Sequence, residues 1–274
     1  MSASPLTRFF LVIFGFLGLA VGITLFFLSE QTATYFAWTV QPPLSAAILG
    51  AGYLSSILIA PLALRERYWS RSQVSFIGFL PGLALIMLAT FVHLDKFHFN
   101  NPQAAALPRM LAYLWVGGYL LITLAMVVML YLQMRNAPAE NPPISPLPAW
   151  LKLLFALVAL VALGISSILV INPETLIPVW PWKISAFIGR MLGAFLAAQG
   201  ASGVLAIWAN DRYKIKIMCA GYVLFISLQI VALLRYGTVY NTASPGGLAY
   251  LALLGLILIT GLLGLWQANL KQQP

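Results

Sequence analysis

Long apolar runs separated by short polar segments dominate this chain, and eight of them can be bounded. They are Phe9–Ser29, Pro43–Leu64, Val74–Leu94, Met110–Met134, Leu151–Ile171, Ile184–Trp208, Ile217–Leu234 and Gly247–Trp266. Each is close to the ~20 residues a helix needs to cross a hydrocarbon core. Backbone N–H and C=O groups find no water there, so runs of this length read as helices, which bond those groups internally. The pattern predicts an all-α polytopic protein with eight transmembrane helices. The first run follows Arg8 and has the outline of a secretory signal. It is longer than a usual signal core and no small-x-small cleavage site follows, so it is read as a retained anchor.

Composition agrees with this class. Of 274 residues, 61% are hydrophobic and 8% charged, and mean hydropathy is +0.93. So few charges cannot cover the water-facing surface of a soluble domain. The net charge of +9 resides in scattered Lys and Arg near run ends, which suits lipid contact and forms no nucleic-acid stripe. With the amino terminus inside, ten basic residues fall on the inner side (Arg8, Arg65, Arg67, Arg71, Arg135, Lys152, Arg212, Lys214, Lys216, Lys271). Four fall outside (Lys96, Arg109, Lys183, Arg235), and Arg190 is left inside a run. The positive-inside bias selects both termini cytoplasmic. The single cysteine, Cys219, excludes an intrachain disulfide and a thiolate metal cage, and it sits in an apolar run as an inert buried thiol.

The clearest linker spans residues 136–149 and carries Pro138, Pro142, Pro143, Pro146 and Pro148. Proline cannot continue the preceding helix, and this segment divides the chain into units 1–135 and 150–274. The two share landmarks in order: Glu30 and Glu174, each eight residues before a tryptophan, Trp38 and Trp182. Arg65-Glu66-Arg67-Tyr68 then matches Asn210-Asp211-Arg212-Tyr213, and His98-Phe99-Asn100 matches Val239-Tyr240-Asn241. These predict two parallel four-helix repeats, related by an axis along the membrane normal, with any site where the halves meet. Glu66 and Asp211 lie in basic loops and read as members of helix-end salt bridges.

Arg190 carries the most information among the polar residues. A guanidinium stays charged, so in lipid it needs a partner, a wet cavity or a route to the surface. Asp95, Glu30 and Glu174 are its candidate partners; a structural salt bridge and an anion clamp both remain open. Gln199 and Gln229, near the middle of their runs, serve either as interhelical glue or as the lining of a polar path. His93, Asp95 and His98 offer imidazole and carboxylate to a transition metal. On a continuing helix Asp95 and His98 share a face and His93 does not, and the plainer reading is a polar helix end with interfacial histidines. Gly189 and Gly193, like Gly50-Ala51-Gly52, suit close helix contact. Pro81 can kink its helix. No phosphate loop, nucleophile elbow or His-Glu-x-x-His motif occurs, and the residues name no cofactor.

The run Tyr35-Phe36-Ala37-Trp38-Thr39-Val40-Gln41-Pro42-Pro43, the segment Leu49-Gly50-Ala51-Gly52-Tyr53 and the segment His93-Leu94-Asp95-Lys96-Phe97-His98-Phe99 resemble a family of uncharacterised bacterial multi-pass inner-membrane proteins. That resemblance covers mainly the first half and implies a prokaryotic inner membrane; it implies no activity and no functional residue. From the residues, the expectation is a small-solute or ion transporter with a polar site near the outer face between the repeats. The alternative is a structural or accessory subunit of a membrane complex, with lipid and other membrane subunits as partners and no nucleic acid. A membrane metalloenzyme ranks third.

Overall fold

The structure, a computed structural model, describes residues 4–136 and 144–270. Eight long helices form it: α1 (Pro5–Phe27), α2 (Pro43–Arg65), α3 (Gln73–Val92), α4 (Ala106–Asn136), α5 (Ala149–Ile171), α6 (Ala186–Ala209), α7 (Lys216–Arg235) and α8 (Pro245–Asn269). All eight are long and apolar enough to cross a membrane, and no β-strand occurs among the described residues. A one-turn helix (Thr32–Tyr35) and short 3-10 turns fill the loops, with a single bridge between Trp38 and Phe97.

Caps move the helix ends a few residues from the limits that hydropathy sets. Ser4 accepts the Thr7 N–H at 3.2 Å, and Pro5 occupies the first turn, where its missing N–H costs nothing. Ser185 accepts the Ile188 N–H at 3.3 Å, so α6 starts at Ala186 rather than Ile184. At the other end of α6, Asn210 adopts the left-handed conformation (φ 44°, ψ 42°) that asparagine tolerates, and the helix stops. Pro81 in α3 and Pro61 in α2 sit inside helices that run on past them.

Four helices form the centre. Within the spans, 67% of α2 and 61% of α6 residues are buried, against 22% of α1. The largest packings are α1 on α2, α5 on α6, α3 on α6, α2 on α7 and α7 on α8. Smaller ones join α3 to α4, α5 to α8 and α1 to α4. Exchanging the first four helices for the last four maps this set of neighbours onto itself. The α2–α7 contact, for instance, becomes α6–α3. Glycine permits the closest approaches: a Cβ on Gly50 would lie 2.5 Å from the Phe26 backbone nitrogen of α1. Gly193 lies against Leu169 and Val170 of α5, and its carbonyl accepts the Ser166 hydroxyl at 2.7 Å. Gly189 and Gly193 therefore seat α6 on α5.

Residues 137–143, half of the predicted linker, lie outside the described residues, as does Lys271. The linker's end is anchored. The Ser145 N–H donates to Asp211 Oδ1 at 3.3 Å, Leu147 N–H to Asn210 Oδ1 at 3.2 Å, and Arg212 N–H to the Ser145 carbonyl at 2.9 Å. Asp211 thus bonds backbone amides of the linker and of Tyr213, instead of the salt bridge expected for it. Glu66 does meet Arg71, at 3.6 Å.

Candidate functional site

The loops at residues 28–42, 93–105, 172–185 and 236–244 cluster at one end of the bundle, together with Trp38, Trp180 and Trp182; this is termed the aromatic end. Phe36, Trp38, Phe97, Trp115 and Phe187 form one packed group there, with ring centroids 4.6–5.8 Å apart. Such contacts fix the loops between helices by burying large apolar rings. Trp182, Tyr240 and Tyr250 form a second group. The Trp182 indole N–H donates to the buried Ser45 hydroxyl at 2.9 Å, joining the α6 entry to α2.

Arg190 sits at this end. It is the fifth residue of α6, roughly 6 Å along the helix from Ala186, and so lies far shallower than mid-membrane. Its partner is no carboxylate. Nε donates to the Val170 carbonyl at 3.1 Å and Nη1 meets His93 Nε2 at 2.9 Å. The guanidinium has only donors, so His93 Nε2 must accept, which puts the imidazole in its neutral form with the proton on Nδ1. Val170 stands in the last turn of α5, where carbonyls lack a helical partner, and His93 caps the end of α3. Arg190 therefore meets the negative ends of two helix dipoles, which stabilises a cation without any acid. Burial first, then the Arg190 charge, holds His93 below the usual imidazole range, with Asp95 opposing. The His93 ring also packs on Phe187 at 5.0 Å.

The acids expected to serve Arg190 are engaged elsewhere or exposed. Glu30 faces Arg235 Nη2 at 3.7 Å and accepts the Tyr236 hydroxyl at 3.1 Å, while the Ser29 hydroxyl bonds that same tyrosine. Arg235 Nη1 donates to the Phe26 carbonyl at 3.0 Å, a last-turn carbonyl of α1. Asp95 pairs with its neighbour Lys96 at 2.9 Å, both exposed, and that ammonium holds its carboxyl below the usual range. Glu174 is exposed and forms no ion pair among the described residues.

The proposed metal ligands do not come together. Asp95 and His98 were expected to share a helix face, but α3 ends at Val92. The chain continues as two 3-10 turns, Leu94–Lys96 and His98–Asn100, broken at extended Phe97 (φ −82°, ψ 147°). His98 is turned inward, buried, with Nε2 3.5 Å from the Thr39 hydroxyl, and burial lowers its pKa. No group of three or more His, Cys, Asp or Glu suited to a metal occurs among the described residues.

The two glutamines lie deeper. The Gln229 side-chain oxygen accepts the Tyr250 hydroxyl, joining α7 to α8. Gln199 lines a small cavity, about 20 Å³, at the seam of α2, α3, α6 and α7, where Ser55, Ser75, Ser202 and Tyr222 also stand. Ser75 Oγ is buried there without a partner among the described residues, and the Tyr222 hydroxyl donates to the Gln199 backbone carbonyl. Another cavity of about 20 Å³ touches Gln229 and Tyr250. A third, about 80 Å³, lies among α1–α4 against α6, with Tyr53 and Tyr119 in its wall. Arg190, Glu30, Glu174 and Asp95 line none of the three. Sequence reasoning passed over Tyr53, Tyr119, Ser75 and Ser202; the one trace was the aromatic pair Trp115 and Tyr119, four residues apart on one face of α4 and 4.5 Å apart between centroids.

No family model matches the chain, and neither a curated protein nor a solved structure is similar to it. The chain is an integral membrane protein by its eight apolar helices.

Proposed function

We propose that this protein is a structural or accessory subunit of a membrane complex, in which the polar residues of the aromatic end fasten one half of the bundle to the other. The observation that carries this reading is the Arg190 bonding: the guanidinium from α6 is occupied by the Val170 carbonyl and by His93 at the end of α3. Two of its five N–H groups are thereby committed to the protein itself. Arg235 on Phe26 and Trp182 on Ser45 are further ties between residues of the first and second halves.

Duplication of a four-helix unit supports the same picture. Helices α1 and α5 both have 23 residues and α3 and α7 both have 20, in matching order. The helix neighbours also exchange as a twofold axis along the membrane normal would require. The aromatic end faces outward and both termini lie in the cytoplasm, on the ten-to-four split of basic residues. A prokaryotic inner membrane is the setting the sequence resemblance implies.

A second reading, transport of a small solute or ion, rests on the seam cavity with Ser55, Ser75, Gln199, Ser202 and Tyr222, where the unpartnered Ser75 hydroxyl could serve a passing ligand. Proteoliposome flux of protons, sodium, potassium and phosphate separates the two. On the subunit reading, purified protein adds no flux over empty vesicles, and cross-linked native membranes yield a stoichiometric partner. Flux that Ser202→Trp blocks would reject the subunit reading and favour the seam.

A further inference from the structure

The cavity of about 80 Å³ among α1–α4 is unlike the seam. A single water needs about 10–15 Å³ counted the same way, and a cavity of about 150 Å³ holds a benzene ring, so this space takes several heavy atoms: one edge of a ring whose remainder projects toward lipid. Its walls are apolar except for Ser56 and the hydroxyls of Tyr53 and Tyr119. Ser56 Oγ is turned away onto the Tyr53 carbonyl at 2.6 Å. The two tyrosine hydroxyls bond each other. Two hydroxyls carry two protons and one bond uses one, so the other proton has no acceptor among the described residues.

Depth narrows what can accept it. Tyr53 follows Pro43, the first residue of α2, by ten residues, roughly 15 Å of helix, which is half of a hydrocarbon core about 30 Å thick. Ester carbonyls and headgroups of phospholipids stay at the boundary, and acyl tails carry no acceptor. A neutral molecule with an oxygen at mid-bilayer is needed. The α1 side of the cavity faces lipid: Leu17 is 38% exposed, and Phe14 and Val21 are half-buried. Phe79, Phe195 and Tyr53 supply aromatic walls suited to a flat ring.

We propose that this cavity binds a neutral ring lipid bearing carbonyl groups, of the quinone class, entering from the bilayer between α1 and α4. The free tyrosine proton bonds one ring carbonyl. Trp115, in contact with both Tyr53 and Tyr119, then lies close enough for the bound ring to quench its fluorescence.

The test uses full-length protein in phosphatidylcholine nanodiscs free of quinone, titrated with ubiquinone-1 while tryptophan emission is read. Saturable quenching is expected for the native chain. Either tyrosine alone still offers a donor, so Tyr53→Phe with Tyr119→Phe should weaken binding about tenfold, the usual effect of one lost hydrogen bond. Val21→Trp, at the half-exposed mouth, should abolish saturation without disturbing the core. Quenching that rises linearly and equally in the native and Val21→Trp proteins would overturn the site. Competition by hexylbenzene as strong as by menadione would overturn recognition of the carbonyl.

Discussion

Replacing Arg190 by methionine tests the fastening role most directly. The change keeps an unbranched apolar stem, shortens the side chain and removes two bonds, to the Val170 carbonyl at 3.1 Å and to His93 at 2.9 Å. Hydrogen bonds to a charged group contribute roughly 1.5–3 kcal/mol each when buried. Arg190 is only partly buried, so the lower end applies, and the pair should be worth about 2–4 kcal/mol. For a chain of this size that lowers the melting midpoint by roughly 5–10 °C. The one cysteine provides the assay: Cys219 is fully buried on α7, so a thiol-reactive fluorophore labels it only as the bundle opens. Arg190→Lys keeps the cation at two helix C-termini but reaches a single acceptor, and should recover about half of the loss. Arg190→Met and His93→Phe should cost less together than the sum of their separate effects. A midpoint for Arg190→Met within about 1 °C of the native protein would refute the reasoning, because a guanidinium that fastens nothing would remain as a candidate ligand clamp.

Acid should loosen the same end. His93 titrates below its unfolded value of about 6.5, so the unfolded chain takes up a proton that the native fold resists. Stability is full above that value and is lost as pH falls through the native pKa; Cys219 labelling across this range should show the decline, and His93→Gln should shrink it, with the remainder due partly to His98. Trp182→Phe leaves the Ser45 hydroxyl unpaired in a fully buried position, at a cost of about 1–3 kcal/mol; adding Ser45→Ala should restore part of it, and simple additivity in the double-mutant cycle would contradict the bond. Gly78→Ala puts a Cβ 2.1 Å from Ser202 Oγ and 3.0 Å from its Cα, forcing α3 off α6 for about 1–3 kcal/mol. Gly164→Ala meets nothing within 4 Å and should be neutral or stabilising by about 0.5–1 kcal/mol; equal melting shifts for the two glycines would count against the packing described.

The helices were legible because the signal that makes them is strong and local: roughly 20 apolar residues can only cross lipid as a helix. The site was less so, for reasons visible in single residues. An arginine within an apolar run prompts a search for acids, yet Arg190 takes a backbone carbonyl, which every residue possesses and no sequence pattern marks. The Asp95–His98 pairing assumed helix geometry beyond Val92, where the chain tightens into 3-10 turns. Tyr53 and Tyr119 lie 66 residues apart and meet only through tertiary packing.

If the bundle arose by duplication, as proposed, the two arginines of the aromatic end separate what the two copies share physically from what differs between them. Phe26 and Val170 occupy the same place in α1 and α5, the next-to-last helical residue of each. Both carbonyls lack a helical donor, and both receive a guanidinium: Arg235 from α7 on one side, Arg190 from α6 on the other. The requirement is shared because every helix end presents unpaired carbonyls and a negative dipole. The source of the cation differs, α7 for Phe26 and α6 for Val170. Aligning the halves by their acids pairs Glu30 with Glu174, yet only Glu30 has joined an arginine, and Glu174 stays in solvent. On the duplication reading, the carbonyl is the constant of this motif and the charged residues around it are the variable part: Arg235 on Phe26 ties the two halves together, whereas Arg190 on Val170 closes a contact within the second half and reaches the first only through His93.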